Sequence, residues 1–216
     1  MVDAKDYIYI SEAKVDLLYE QIESPDTQKT GAEYGVDVKL FKWMGKRESE
    51  KVITKVTKLN RVVEFITKSK KVGTIDEPAT YFRGTLRMNW GPLEDELIFF
   101  TGQSSETLVA LAGSSKHLIG GTVIPHTSLS DSLLPVMYEV FRKYTAKEIN
   151  PPDYFGPDHR PVLGDKENSL AVIQSVARLF EGASQKVEFL AKNHLFGSSQ
   201  GANVVLGTPF YVAVTE

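Results

Sequence analysis

The chain has 216 residues, a formal net charge of −3, 42% hydrophobic and 25% charged residues, and no cysteine. That apolar fraction excludes a disordered acidic chain, and charges recur too often for a membrane helix. The missing thiols exclude disulfide scaffolds, thiolate metal sites and cysteine nucleophiles together. The length suits one domain, residues 1–216, able to bury a core without a metal or disulfide staple. The opening Met1–Asp6 is polar and the apolar run Tyr7–Ile10 is too short for a signal-peptide core, so a cytoplasmic location is expected.

In chain order, Tyr7–Ile10 reads as a strand. Ser11 is a candidate N-cap for a helix to about Ile22, with Val15, Leu18, Tyr19 and Ile22 at helical spacing. Turn-forming residues fill 23–31, and Val36, Val38 and Leu40 alternate with Asp37 and Lys39 as a strand would. From Glu48 to about Lys70 the apolar residues Val52, Val56, Leu59, Val63 and Ile66 form one stripe, the mark of a long amphipathic helix.

After Pro78 the period returns to two. Phe82, Gly84, Leu86, Met88 and Trp90 face one way, and Tyr81, Arg83, Thr85, Arg87 and Asn89 the other. The runs at 97–100 and 108–111 complete a three-strand antiparallel meander. A helix follows from Ser128 or Ser130 to about Tyr144, then a proline-rich long loop over 151–164. Asn168 is placed as the cap of another helix, to about Glu181. Residues 187–196 fit a strand or a helix, with the strand favoured, and strands are expected over 204–206 and 210–214. The fold class implied is α+β, a mostly antiparallel sheet with three or four helices packed on it in a single compact domain.

Gly197-Ser198-Ser199-Gln200-Gly201 matches the G-x-S-x-G nucleophile-elbow pattern. That motif needs a strand–turn–helix and a later histidine, and neither follows, so a loop between strands is the reading. The segment Gly113-Ser114-Ser115-Lys116-His117-Leu118-Ile119-Gly120-Gly121 is richer. Its glycines permit close backbone approach, Ser114 and Ser115 offer hydrogen bonds, and Lys116 offers charge. It lacks the Walker spacing, since Lys116 precedes the second glycine. The alternative role for these residues is a strand connection that needs positive φ.

The four histidines, His117, His126, His159 and His194, show no metal-binding spacing, so neither a metal nor a cofactor is expected. His159 beside Asp158 is most simply an exposed pair. Between Lys46 and Lys71 nine Lys or Arg stand against three Glu, a local balance of +6 that leaves −9 for the rest. A solvated helix face is the default for such a run; nucleic acid phosphates are the alternative ligand. Arg83 and Arg87 share one side of the clean strand, where arginine forks can clamp an oxyanion or pair with Glu94, Asp95 or Glu96.

In the stretches Tyr7–Gln21, Phe82–Arg87, Leu111–Gly120 and Leu206–Ala213 the chain resembles an uncharacterised bacterial family of stand-alone domains. Such domains occur beside caspase-like or repeat proteins in anti-phage conflict systems. The resemblance implies a sensor or accessory role and transfers no catalytic residues. The leading expectation is therefore a cytoplasmic module that binds a small anionic ligand or a partner protein. Its binding residues would be Gly113, Ser114, Ser115, Lys116, His117 and Gly120, helped by Arg83 and Arg87. The alternatives are a nucleotide or phosphodiester hydrolase using His117 as acid–base group, and a structural subunit of a larger assembly.

Overall fold

The computed structural model describes residues 5–23, 54–69, 71–93, 97–120, 166–178, 180, 184–199 and 201–216. The strand and helix expected over 36–40 and 128–144, the proline-rich 151–164, Glu94–Glu96, Gly121, His126 and His159 lie outside them. Seven strands and three α-helices occur among the described residues. In order they are β1 (Asp6–Ile10), α1 (Glu12–Glu23), α2 (Lys55–Lys68), β2 (Val72–Gly73) and β3 (Tyr81–Leu93). They continue with β4 (Leu97–Gln103), β5 (Thr107–Ser114), α3 (Lys166–Arg178), β6 (Gln185–Ser199) and β7 (Ala202–Val214).

Five strands close on themselves. β3, β4 and β5 form the antiparallel meander, β5 runs parallel to β7, β7 pairs antiparallel with β6, and β6 returns antiparallel to β3. β3 is shared along its length: Tyr81–Met88 pair with β6, and Asn89–Leu93 with β4. The expected open sheet with helices packed on it is thus corrected to a closed Greek-key barrel with helices on its outer wall. The sequence reading missed closure because it joins residues far apart in the chain, such as Tyr81 and Lys192, and no local period encodes that pairing.

Inside and outside follow the two-residue period. Phe82, Met88, Ile98, Phe100, Val109, Leu111, Val187, Phe189, Val205 and Val212, drawn from all five strands, make one buried cluster that fills the interior. Room is made by glycine: a Cβ at Gly207 would lie 2.7 Å from the Phe82 ring, and one at Gly84 2.4 Å from Ile75, which belongs to the same cluster. The other faces of β4, β5 and β7 (Leu97, Phe99, Ala110, Ala112, Val204, Leu206) bury against Leu170, Ile173, Val176 and Ala177 of α3. A third cluster packs α1 and α2 through Val15, Tyr19, Leu59, Val62 and Ile66 onto Leu190, Phe210, Tyr211 and Ala213.

Helices α1 and α2 lie side by side in the same direction. Lys55 Nζ meets Glu12 Oε1 at 2.5 Å, Lys58 Nζ meets Asp16 Oδ1 at 2.6 Å, and Arg61 donates to the Tyr19 hydroxyl at 2.9 Å. Thr54 caps α2 through its side chain, 3.2 Å from the Thr57 N–H.

Candidate functional site

The β5 terminus and the turn after it give the Gly113–Gly120 segment a packing role. Gly113 leaves room for Tyr9, whose hydroxyl would sit 2.2 Å from a Cβ there. Burial pushes the Tyr9 phenol up, and that hydroxyl hydrogen-bonds Ser11 and the Ser114 backbone. Ser114 is buried in β5. Ser115–His117 form a single 3-10 turn, after which Leu118 bridges Tyr9 and the Ile119 N–H donates to the Ile8 carbonyl at 3.0 Å. The segment thereby fastens β1.

His117 is buried, with its ring edge-on to Tyr9 at 6.0 Å between centroids. Burial, reinforced by the Lys116 charge, pulls its imidazole down to about 4, so it is neutral near pH 7. A general acid–base group works best with a pKa near the operating pH. Lys116 and Gly120 remain exposed, and Gly120 takes a positive φ of 75°.

Arg83 and Arg87 stand elsewhere, on the outer face of β3. β4 separates that stretch from β5 on one side, and β6 with β7 on the other. Their neighbours across the ladder follow from register. Tyr81 lies opposite Lys192, Arg83 opposite Leu190, Thr85 opposite Glu188 and Arg87 opposite Lys186. Arg83, Arg87, Lys186 and Lys192 are all exposed. The carboxylate in this row, Glu188, is occupied by an ion pair with Lys5 and by the Tyr211 hydroxyl, whose pKa burial and Glu188 push up to about 12. Lys186 donates to the Glu216 main-chain oxygen at 2.6 Å, and Arg87 to the Ser184 carbonyl at 3.5 Å. Arg83 has no hydrogen bond or ion pair among the described residues. Seven residues of β3, from Tyr81 to Arg87, carry this row about 20 Å along the barrel.

The described part of the basic stretch is different. Lys55, Lys58 and Lys68 each pair with a carboxylate on α1 or α2, and Arg61 with Tyr19, so that face is internally compensated. Gly197, Ser198 and Ser199 lie in β6, paired with Val204, Asn203 and Ala202, and Gly201 takes φ 80° just before β7, which corrects the loop expected over these residues. No group of three or more His, Cys, Asp or Glu residues able to hold a metal occurs among the described residues. Nor is any described helix long and apolar enough to cross a membrane.

These features define a closed Greek-key barrel domain that presents a row of arginine and lysine along β3 and β6. The outer face of β4 and β5 is covered by α3. The chain belongs to a family of unknown function, DUF7019, whose model matches residues 5–216. No curated protein and no solved structure matches it significantly.

Proposed function

We propose that the protein is a cytoplasmic binding module, an accessory or sensor domain that recognises an anionic partner. The contact surface is the outer face of β3 and β6, centred on Arg83 and Arg87. The observation that carries this reading is the register: Arg87 faces Lys186, Arg83 faces Leu190, and the carboxylate between them in the row is already engaged by Lys5. Like charges placed directly opposite each other cost stability, and an anion laid across them removes that cost. The resemblance to domains that accompany caspase-like and repeat proteins supports an accessory or sensor role in anti-phage conflict. Of the 113–120 segment, Lys116 has the exposure and charge to add a further contact.

Retention on heparin, with anisotropy of a fluorescent polyglutamate peptide and of a 20-nucleotide single strand, tests the reading. The wild-type chain binds at least one of these probes with steep salt dependence. Arg83→Ala with Arg87→Ala weakens that binding about tenfold while leaving the melting temperature within 2 °C, taking each lost ionic contact as about 0.7 kcal/mol. Absence of binding by the wild type, or equal binding by the double variant, overturns it.

A further inference from the structure

A second cluster of cations sits beneath α1, apart from Arg83 and Arg87, and it has a different character. Lys14, in the first turn of α1, is half-buried. Its ammonium reaches over the Phe210 ring at 5.6 Å and donates to the Pro209 carbonyl at 3.2 Å. One residue back along β7, Thr208 is buried and its hydroxyl is 2.9 Å from His194 Nε2. Lys192 is the ladder partner of Thr208, and Ala191 of Pro209. A register shift between Asn193 and Leu195 places His194 at an irregularity in β6, where the ladder is locally broken.

Lys14, Lys192 and His194 therefore gather around Thr208 and Pro209. The charges acting on Lys14 and His194 are cationic: Lys192 bears on Lys14, and Lys14 and Lys192 bear on His194. No described carboxylate figures among them. This contrasts with α2, where Lys55, Lys58 and Lys68 each have an acidic partner.

We infer that Lys14, Lys192 and His194 form a binding site for a tetrahedral oxyanion, a phosphate or the phosphoryl end of a monoester, seated between the start of α1 and the β6–β7 ladder. Two amines and an imidazole–hydroxyl pair border the same stretch of β7, and that pair keeps one proton free to donate beyond its own hydrogen bond. A half-buried amine whose only described hydrogen bond is to a carbonyl is expensive to keep charged. A bound dianion supplies the missing counter-charge. Burial and Lys192 lower the Lys14 pKa to about 7 in the free protein, so binding near or above that pH draws a proton onto Lys14. The site meets the β3–β6 row only at Lys192, and Lys14 and His194 are not on that outer row.

Isothermal titration of the full chain with inorganic phosphate and with phenyl phosphate, at pH 8 in buffers of different ionisation enthalpy, tests this. The expected result is one saturable site with uptake of a fraction of a proton, and at least tenfold weaker binding by Lys14→Met. Tighter binding of phenyl phosphate marks a monoester as the ligand type, and tighter binding of inorganic phosphate marks the free ion. Arg83→Ala with Arg87→Ala leaves the affinity unchanged, which separates this site from the outer face. Absence of saturable binding to either probe, or equal binding by a folded Lys14→Met, overturns the inference. Should Lys14→Met fail to fold, Lys192→Ala and a 15N titration of the Lys14 ammonium in the wild type decide. An unmoved Lys14 resonance and unchanged affinity in Lys192→Ala overturn it; a shifted resonance and weakened affinity support it.

Discussion

Arg87 of β3 lies directly opposite Lys186 of β6 in the antiparallel ladder, two exposed cations on one rung of the barrel wall. Neither gains from that placement in the isolated protein. Arg87→Ala is therefore expected to leave stability unchanged or raise it by about 0.2–1 kcal/mol, in contrast to the usual cost of a substitution in a strand. Chemical denaturation in low salt measures it, and a loss above 1 kcal/mol would show that Arg87 holds the fold.

Gly113 and Tyr9 form a coupled pair. Gly113→Ala puts a methyl where the Tyr9 hydroxyl lies, and overpacking of this kind costs about 1–3 kcal/mol. Tyr9→Phe removes the obstructing oxygen along with its hydrogen bonds to Ser11 and Ser114. A double-mutant cycle should show the double variant more stable than the sum of the single effects, by about 0.5 kcal/mol or more. Strict additivity would break the proposed link.

Lys14 sets the alkaline side of the stability profile. Its folded pKa lies near 7, below the ordinary 10.5, so the unfolded chain binds the extra proton between those values. Stability accordingly rises with pH from about 7 to 10.5, and the penalty is fully present below pH 7. Lys14→Met should stabilise the apo protein at pH 6.5 by an amount on the order of 2 kcal/mol, a gain that fades toward pH 10.5. Thermal melts across that range report it, and a pH-independent difference would contradict it.

His117 and His194 act on the acid side. Both are drawn down from 6.5 to about 4, chiefly by burial, and the unfolded chain binds more protons between those values. Stability is therefore lost as pH falls from 6.5 to 4. His194→Asn, which keeps a polar group near Thr208, should flatten that slope. Urea midpoints at several pH values measure it; an unchanged slope would place the acid sensitivity elsewhere.

Much of the secondary structure is visible in the residues themselves. The alternation Phe82, Leu86, Met88 against Arg83, Thr85, Arg87 marks β3 and its two faces; of the stripe expected for α2, Leu59 and Ile66 are buried, but Val63 is half-buried, Val56 is exposed, and Val62 takes the third buried place. β7 is harder to read, because Pro209 interrupts a run that looks like two strands; in the fold it sits at a register shift, and the strand continues from Ala202 to Val214. Helix α3 begins at Lys166, ahead of Asn168, and ends at Arg178. Barrel closure has no local signature. Its hint is the run Leu97–Phe100, apolar at every position, because β4 buries one face in the barrel and the other against α3.

The site follows the same rule. Arg83 and Arg87 stand out in sequence because they share a face. Lys186 and Lys192, on a strand some hundred residues later, join them through register alone. Lys14 and His194 show no motif at all, since the helix packing and the irregularity in β6 that bring them toward Thr208 are tertiary. Gly113, Ser114 and His117 attract notice as a glycine-rich, polar segment, yet the same residue types serve the close packing of Tyr9.

The manner in which β7 is flanked bears on how the chain avoids self-association. β5 covers one edge of β7 only as far as Gly207, and β1 takes over that edge from Tyr211 to Val214. β1 is in turn covered at Ile8 and Tyr9 by Leu118 and Ile119. The short strand β1 thus acts as a removable shutter over four residues of β7, a strand buried at ten of its thirteen positions. Chains cut after Ser11 would bare the backbone of Tyr211–Val214 to strand addition by another copy, and the loss of four residue pairs would surface as oligomers or aggregates.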